Sequence, residues 1–239
     1  MSVLNKFIFF FTITCVLVNT TRGCAEPETA KTLKYNVIIE QLTDKLSFPW
    51  SIAFLPNDLI IITERYGKLR ILFPDGRITN VLGVPNVWAR GQGGLLDVAV
   101  DHNYDQNNII YLSYSEPSRN GNLSGTAVAQ AKLILSSTPR LKHLRVIFSQ
   151  NKKTASGAHF GSRIVQAPDR TLYVTVGERG NRNRAQDYLD HAGSIIHINP
   201  DGTIPENNPF KSNKNGLAEI WSVGHRNPQG AAWHPIENS

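Results

Sequence analysis

The chain has 239 residues, two cysteines and a formal net charge of +6. Its basic residues are scattered rather than gathered in a stripe, which argues against a nucleic-acid-binding protein and leaves mild attraction of anionic ligands as a possible use of the charge. No Cys-x-x-Cys-His sequence occurs, so a covalently attached c-type haem is excluded.

Near the start of the chain is an apolar or near-apolar run of 12 residues, Phe7–Val18. Such a run is too short to cross a bilayer as a helix, which takes about 20 residues. Small residues follow at Gly23–Ala25, so the pattern predicts a signal peptide over residues 1–25 and export to the periplasm or the medium, without an integral membrane segment. A lipoprotein acylated at Cys24 is the alternative. The predicted mature domain, 26–239, contains no cysteine.

Short apolar strands separated by turn residues fill the rest of the chain. Several of them alternate apolar and polar side chains, and the Pro-Asp-Gly sequences at 74–76 and 200–202 are typical of turns. No segment carries a helical stripe over three or more turns, so the pattern predicts an all-β fold. The predicted strands are Tyr35–Leu42, Trp50–Leu55, Leu59–Thr63, Leu69–Phe73, Ile109–Tyr114, Val128–Leu135, Leu172–Val176 and Ile195–Ile198.

A loose repeat favours a β-propeller within the all-β class. Three segments place an apolar strand before a proline turn, namely Ile52–Leu59, Ile164–Leu172 and Gly230–Pro235. Recurrence at large and irregular spacing suits propeller blades with loops of different length. A jelly roll or a double sandwich remains the alternative on this pattern alone.

Four glycine-rich segments are too specific in composition to be ordinary turns. Glycine lets the backbone approach a ligand closely or adopt a positive φ. The His, Arg, Asn and Gln residues between the glycines offer a base, a fixed cation and neutral hydrogen-bond donors, and a guanidinium suits a planar anionic ligand. Loops from several blades of a propeller meet at one axial face, so distant segments can form one site. The segments are Gly91–Ala99, Gly157–Arg163, Gly177–Asp187 and Gly224–Gly230.

Spacing excludes several common sites. None of the seven histidines forms a close zinc pattern such as His-Glu-x-x-His, and we assign no metal-ligating residue. Leu96 stands at the third glycine position of a dinucleotide-binding loop and no βαβ unit surrounds it, which excludes nicotinamide binding. No Gly-x-Ser-x-Gly occurs, which argues against a serine hydrolase of the common type.

Together these segments resemble the glucose/sorbosone dehydrogenases, which include periplasmic aldose sugar dehydrogenases that use pyrroloquinoline quinone (PQQ). The resemblance runs from about Leu42 to the last residues. It implies a β-propeller of the six-bladed quinoprotein type with the cofactor on the axial face. It also implies oxidation of an aldose sugar to its lactone, with an electron acceptor that the sequence does not identify. The sequences that carry it are Gln-Gly-Gly-Leu-Leu, His-Phe-Gly-Ser-Arg, Ile-Asn-Pro-Asp-Gly-Thr-Ile-Pro-Glu-Asn-Asn-Pro-Phe and Gly-His-Arg-Asn-Pro-Gln-Gly.

The resemblance implies three catalytic residues. His159 matches the general base that removes the proton of the sugar's anomeric hydroxyl, after which hydride passes to the quinone. Glu178 stands where the family has an acidic residue that orients this histidine. Arg226 is placed to stabilise negative charge on the quinone oxygen. For His225 and Gln229 we expect structural roles.

The resemblance also implies cofactor contacts from Gln92, Arg226, Asn227 and Gln186, of which Gln186 is the weaker candidate because loop lengths differ around it. Calcium is expected to hold the quinone, with its main ligands in family segments that lie beyond Ser239. At ~40–50 residues per blade, a mature domain of 214 residues gives about four blades. We therefore expect an incomplete propeller with little or no activity of its own.

Two other functions stay open. A non-catalytic propeller that binds a sugar or a protein has no need for a histidine, an acid and an arginine on one face. A calcium-dependent lactonase on a similar propeller needs several Asp, Asn or Glu oxygens around a central ion. The dehydrogenase interpretation, in turn, requires that the four glycine-rich segments converge.

Overall fold

The computed structural model describes residues 28–235, which form two compact units divided after Asp44. The first unit contains an antiparallel hairpin of β1 (Glu28–Lys31) and β2 (Asn36–Ile39). The predicted signal peptide, residues 1–25, lies outside the described residues. No helix in the described part of the chain is long and apolar enough to cross a membrane.

The second unit consists of three four-stranded antiparallel sheets that follow one another in chain order. Within each sheet the spatial order equals the sequence order. Between residues 28 and 235 the only helical pieces are α1 (Tyr104–Asn107) and a 3-10 turn (Arg182–Gln186), which confirms the all-β prediction. The strands are β3 (Pro49–Phe54), β4 (Ile60–Glu64), β5 (Lys68–Leu72) and β6 (Ile78–Val81); β7 (Leu95–Val100), β8 (Ile109–Pro117), β9 (Ser124–Ile134) and β10 (Arg140–Ser149); and β11 (Gly161–Gln166), β12 (Leu172–Val176), β13 (Ile195–Ile198) and β14 (Ile220–Ser222).

Aspartate side chains stabilise the turns at the ends of the strands. The Asp75 carboxylate accepts the Arg77 N–H at 3.0 Å, and Asp201 accepts the Thr203 N–H at 2.9 Å. Gly76 has a φ of +77°, which a residue with a side chain rarely adopts. Both Pro-Asp-Gly sequences therefore form the turns that their composition predicts.

Two apolar clusters fill the spaces between the sheets. The first includes Ile71, Leu95 and Leu112 and lies between the first and second sheets. The second includes Val128 and Leu172 and lies between the second and third sheets. All five side chains are fully buried. Burial of one such side chain stabilises the fold by about 1.5–3 kcal/mol, so these clusters hold the sheets face to face.

A repeated hydrogen bond also links each sheet to the segment that follows it. The second strand of every sheet carries a buried hydroxyl, on Thr63, Ser113 or Thr175, and we call these three side chains the hydroxyl relay. Each hydroxyl accepts an N–H from the first strand of its own sheet and donates to a carbonyl in the next first strand or, after the third sheet, at Pro228. The N–H donors are Ser51, Asp97 and Arg163 at 3.0, 2.9 and 2.9 Å, and the acceptors are the carbonyls of Leu96, Ser162 and Pro228 at 2.5, 2.6 and 2.7 Å.

The hydroxyl relay coincides with an irregular register between the first two strands of every sheet. A bulge leaves a backbone N–H without its ladder partner, and the relay hydroxyl supplies that partner. β7 also contacts β3 and β11, so the first strands of the three sheets are neighbours, as they are around the axis of a propeller. The register shifts lie between Pro49 and Ser51, Leu95 and Val98, and Gly161 and Ile164.

All eight predicted strands overlap observed ones, and two of them, Leu172–Val176 and Ile195–Ile198, coincide with β12 and β13. The sequence pattern does not reveal β1, β6, β7, β10 or β14. In β10 charged residues interrupt the apolar pattern, since Arg140, Lys142 and Arg145 point to solvent on an outer strand. β7 begins inside the glycine-rich segment Gly91–Ala99, where glycines conceal the start of a strand.

Candidate active site

Loops from neighbouring sheets meet at one end of the second unit. β7 and β11 begin at this end and β12 and β14 finish there, because adjacent strands run antiparallel. The Gln92 N–H donates to the Gly157 carbonyl at 2.7 Å, and the Glu178 N–H donates to the Arg226 carbonyl at 2.9 Å. These bonds join the glycine-rich segments in pairs.

A histidine–carboxylate pair lies where these loops meet. His159 Nδ1 is 2.5 Å from Glu178 Oε1, and the two side chains are 14 % and 4 % exposed. An ionised carboxylate can only accept a hydrogen bond, so Nδ1 carries the proton in this contact. The lone pair of Nε2 is then left to accept a proton from a bound molecule. This is the arrangement of a general base held by a second carboxylate.

Other loop residues hold the backbone around His159. The His159 N–H donates to Gln92 Oε1 at 2.7 Å, and the Gly161 N–H donates to Asn227 Oδ1 at 3.0 Å. His159 has a φ of +55°, a left-handed conformation that is unfavourable for a residue with a side chain. Gln92, His159, Glu178 and Asn227 therefore come from the four predicted segments and lie in one connected group, so the segments converge.

Gly177 makes the close approach of two of these loops possible. A Cβ atom at Gly177 would lie 2.1 Å from the His159 carbonyl oxygen and 3.1 Å from Asn227 Oδ1. Backbone atoms do not move aside as a side chain can, so only glycine fits between the end of β12 and the loop that carries the histidine.

Arg226 and Gln186 lie at the solvent side of the group. Both side chains are exposed, and within residues 28–235 the Arg226 guanidinium has no hydrogen bond or ion pair. Gln186 ends the 3-10 turn, and its Nε2 is 3.4 Å from the position that a Cβ on Gly224 would take. Gln186 thus borders the loop that carries Arg226, although the structure gives it no bond to His159 or Glu178.

An ion pair between the buried Asp97 and the partly buried Arg163 joins all three sheets. Arg163 Nη1 donates to Asp97 Oδ1 at 2.7 Å, the Ser51 hydroxyl donates to the same oxygen at 2.5 Å, and the Ile164 N–H donates to Oδ2 at 2.7 Å. Burial raises the pKa of the Asp97 carboxyl, while these hydrogen bonds and the Arg163 charge oppose the rise. Asp97 and Arg163 lie in two of the glycine-rich segments. An acid in one converging segment and an arginine in another are the sequence signal that could have indicated this pair.

Two arginines that the sequence analysis does not single out bind the loop backbone. Arg65 donates to the carbonyls of Gly91 and Gly93 on either side of Gln92, the second at 3.5 Å. Arg179, next to Glu178, is buried and donates to carbonyls just before His159. Neither interaction follows from spacing, because the acceptors are backbone atoms of any residue type.

The two residues expected to be structural make internal contacts. His225 Nε2 lies 2.8 Å from the Ser222 hydroxyl, and burial lowers the pKa of this histidine. The Gln229 carbonyl accepts a hydrogen bond from Arg163 Nε at 3.1 Å. The loop after β14 is thereby fixed to the third sheet, which positions Arg226 and Asn227.

Comparison with known proteins identifies related sequences. The model of the family "Glucose / Sorbosone dehydrogenase" matches residues 46–239. The aldose sugar dehydrogenase YliI of Escherichia coli is 42% identical over 205 residues, which are 85% of this chain and 55% of that protein. The quinoprotein glucose dehydrogenase B of Acinetobacter calcoaceticus is 29% identical over 232 residues, 86% of this chain and 48% of that protein. The chain thus spans about half the length of the curated relatives it matches.

Solved structures agree with this relationship. The apo-form of the soluble aldose sugar dehydrogenase from Escherichia coli is 41% identical, with a TM-score of 0.79 over 84% of this chain and 58% of that one. The PQQ-bound form of an aldose sugar dehydrogenase from Streptomyces coelicolor is 27% identical, with a TM-score of 0.73 over 88% and 58%. The three four-stranded sheets of the second unit are therefore an incomplete β-propeller of this type, and the chain belongs to the glucose/sorbosone dehydrogenase family.

Proposed function

We propose that this chain carries the proton-accepting part of a PQQ-dependent dehydrogenase that oxidises aldose sugars to lactones. One observation carries the proposal: His159 is hydrogen-bonded to Glu178 through Nδ1 at 2.5 Å, which leaves Nε2 as a base. The loop that carries the exposed Arg226 is bonded to the backbone of Glu178. The relatives named as aldose sugar and glucose dehydrogenases support the substrate class.

The chain's own residues would handle the proton. Nε2 of His159 accepts the proton of the anomeric hydroxyl while the hydrogen on the same carbon leaves with its electron pair, so that the C–O bond becomes the carbonyl of the lactone. PQQ, when bound, supplies the two-electron acceptor for that hydride. Glu178 keeps the ring oriented and stabilises the imidazolium that forms.

The residues at the site fit a planar anionic quinone. The Arg226 guanidinium has no ion-pair partner in the described part of the chain, so its charge is available to a carboxylate or a quinone oxygen. Gln92 uses its Oε1 to hold the His159 N–H, and Asn227 uses its Oδ1 to hold the Gly161 N–H. The amide NH₂ groups of both side chains remain as donors for a ligand. Gln186 would contribute at the edge of the same face.

Calcium remains a prediction for the whole enzyme. Within residues 28–235 no three His, Cys, Asp or Glu side chains are grouped so that they could hold a metal ion. The described residues therefore do not test the expectation. The calcium-dependent lactonase is not tested by these residues either. A binding module, in turn, gives no reason for the His159–Glu178 pair.

Reconstitution with PQQ and calcium tests the proposal. We would offer glucose and other aldoses to the purified chain with an artificial electron acceptor and compare His159→Ala with His102→Ala. His102 is an exposed histidine outside the site, so its loss should leave turnover unchanged. Loss of the general base should lower kcat by about 10²–10⁴-fold. Turnover that survives in His159→Ala would refute the assigned role.

Inactivity of the unaltered chain would move the test to a longer version. The same pair of variants would then be made in a hybrid in which the Escherichia coli relative supplies the part of its length that this chain does not span. If His159→Ala and His102→Ala turn over equally in the active hybrid, the proposed role of His159 is wrong.

A further inference from the structure

Arg179 is a buried cation that binds only neutral groups. The residue is 2 % exposed. Its guanidinium donates to the carbonyls of Ala158 and Ser156, the second at 2.5 Å, and to the Ser124 hydroxyl at 3.3 Å. The guanidinium carbon lies 3.4 Å from the centre of the Phe160 ring, a favourable cation–π distance.

The lack of a counter-ion sets Arg179 apart from the partly buried arginines of the described chain. Arg163 is paired with Asp97 and Arg184 with Asp190, each at 2.8 Å or less. Arg179 forms no ion pair with any described residue, and burial lowers its pKa to about 9. A buried charge without an opposite charge is unfavourable, and the fold tolerates this one in exchange for the backbone contacts that it makes.

Those contacts surround the proposed base. Ser156 and Ala158 precede His159, and Phe160 follows it, so Arg179 touches the backbone or the ring on both sides. His159 has a φ of +55°, a strained conformation that persists only where its surroundings enforce it. A planar guanidinium can hold two carbonyl oxygens at a fixed angle, which the point charge of a lysine cannot.

We propose that Arg179 is a positioning residue whose guanidinium fixes the loop at 156–160. This keeps the His159 ring hydrogen-bonded to the Glu178 carboxylate. The inference rests on the proposed function, because it explains how the proposed base is kept in place. It differs from a merely structural role in one respect. A structural residue would affect stability, whereas a positioning residue also affects the His159–Glu178 hydrogen bond in protein that is still folded.

The test uses NMR of the full chain with ¹⁵N-labelled histidine. The proton on His159 Nδ1, held at 2.5 Å from the Glu178 carboxylate, should give a downfield signal, which is assigned by its loss in His159→Ala. Arg179→Met keeps the apolar stem, and Arg179→Lys also keeps a charge. Arg70→Met is the control, since it removes a partly buried arginine that is paired with Glu64 in the first sheet, away from His159.

We expect both Arg179 variants to lose the downfield signal. The His159 amide proton should exchange with solvent about tenfold faster or more, while the chemical shifts of the rest of the protein remain those of the folded state. Arg70→Met should lower the Tm and keep both His159 features. If Arg179→Met or Arg179→Lys yields too little folded protein for NMR, the other Arg179 variant tests the positioning role. A folded Arg179→Met protein that keeps the signal, with amide exchange within about twofold of the original, would overturn the inference.

Kinetics separate this inference from the proposed function. In a chain or hybrid that turns over, Arg179→Lys should lower kcat by about 10²-fold, the effect of a misplacement near 1 Å, with KM little changed. Retained kcat in Arg179→Lys would contradict the positioning role. If His159→Ala itself remains active, the proposed function is wrong. The NMR measurement still decides whether Arg179 positions His159, because it does not depend on turnover.

Discussion

Ser113→Ala removes the middle member of the hydroxyl relay and tests what that relay contributes to stability. The side chain is fully buried; its hydroxyl accepts the Asp97 N–H at 2.9 Å and donates to the Ser162 carbonyl at 2.6 Å. Alanine fits the site but leaves both backbone groups without a partner. The oxygen that is lost occupies less space than the ~10–15 Å³ needed to admit a water molecule. The two groups therefore stay unpaired.

The magnitude follows from those two groups. Each buried donor or acceptor left unpaired costs about 1–3 kcal/mol, so Ser113→Ala should lower the free energy of unfolding by about 2–6 kcal/mol. Urea denaturation followed by tryptophan fluorescence measures the change. Ser136→Ala is the control, because Ser136 makes its hydrogen bond in an exposed turn and should cost less than about 0.5 kcal/mol. A loss in Ser113→Ala no larger than the control would refute the reasoning.

Two further predictions concern pH and ligand binding. Burial lowers the pKa of the His197 imidazole, so its stabilising contribution is complete above the unfolded value of about 6.5 and is lost as the pH falls through the lower folded value. The free energy of unfolding should thus decrease from pH 7 to pH 5, and less so in His197→Gln; equal decreases in both proteins would contradict this. Arg226→Ala should weaken PQQ binding by about tenfold or more with an unchanged Tm, since the exposed guanidinium makes no hydrogen bond or ion pair with any described residue. Fluorescence titration with PQQ measures it, with Arg119→Ala, an exposed arginine of another loop, as control; equal affinity in both would count against the ligand role.

Local sequence determines much of the fold. The aspartates at 75 and 201 predict turns because their carboxylates can bind the backbone two residues ahead, and both do so. Strands β12 and β13 are apolar runs between turn sequences, and their limits are predictable for that reason. β10 is not predictable in this way, since it lies at the outside of its sheet and its side chains contact both protein and water.

The site depends on contacts that local sequence does not contain. His159 and Glu178 lie 19 positions apart, and only the pairing of β11 with β12 brings the ends of these strands together. Resemblance to a family could suggest the pair, whereas composition could not. Nothing in the sequence indicates the role of Arg179, because its partners are backbone carbonyls and its burial follows from the way three loops pack.

The hydroxyl relay has a direction along the chain. In every case the donor hydroxyl comes first, at Thr63, Ser113 or Thr175, and its carbonyl acceptor comes later in the sequence. During synthesis, which adds residues from the N-terminus, a sheet that has already formed can present its hydroxyl to the strand that emerges next. Each sheet would then act as a template that sets the register of its successor. The direction of the hydroxyl relay is thus the same as the direction of synthesis.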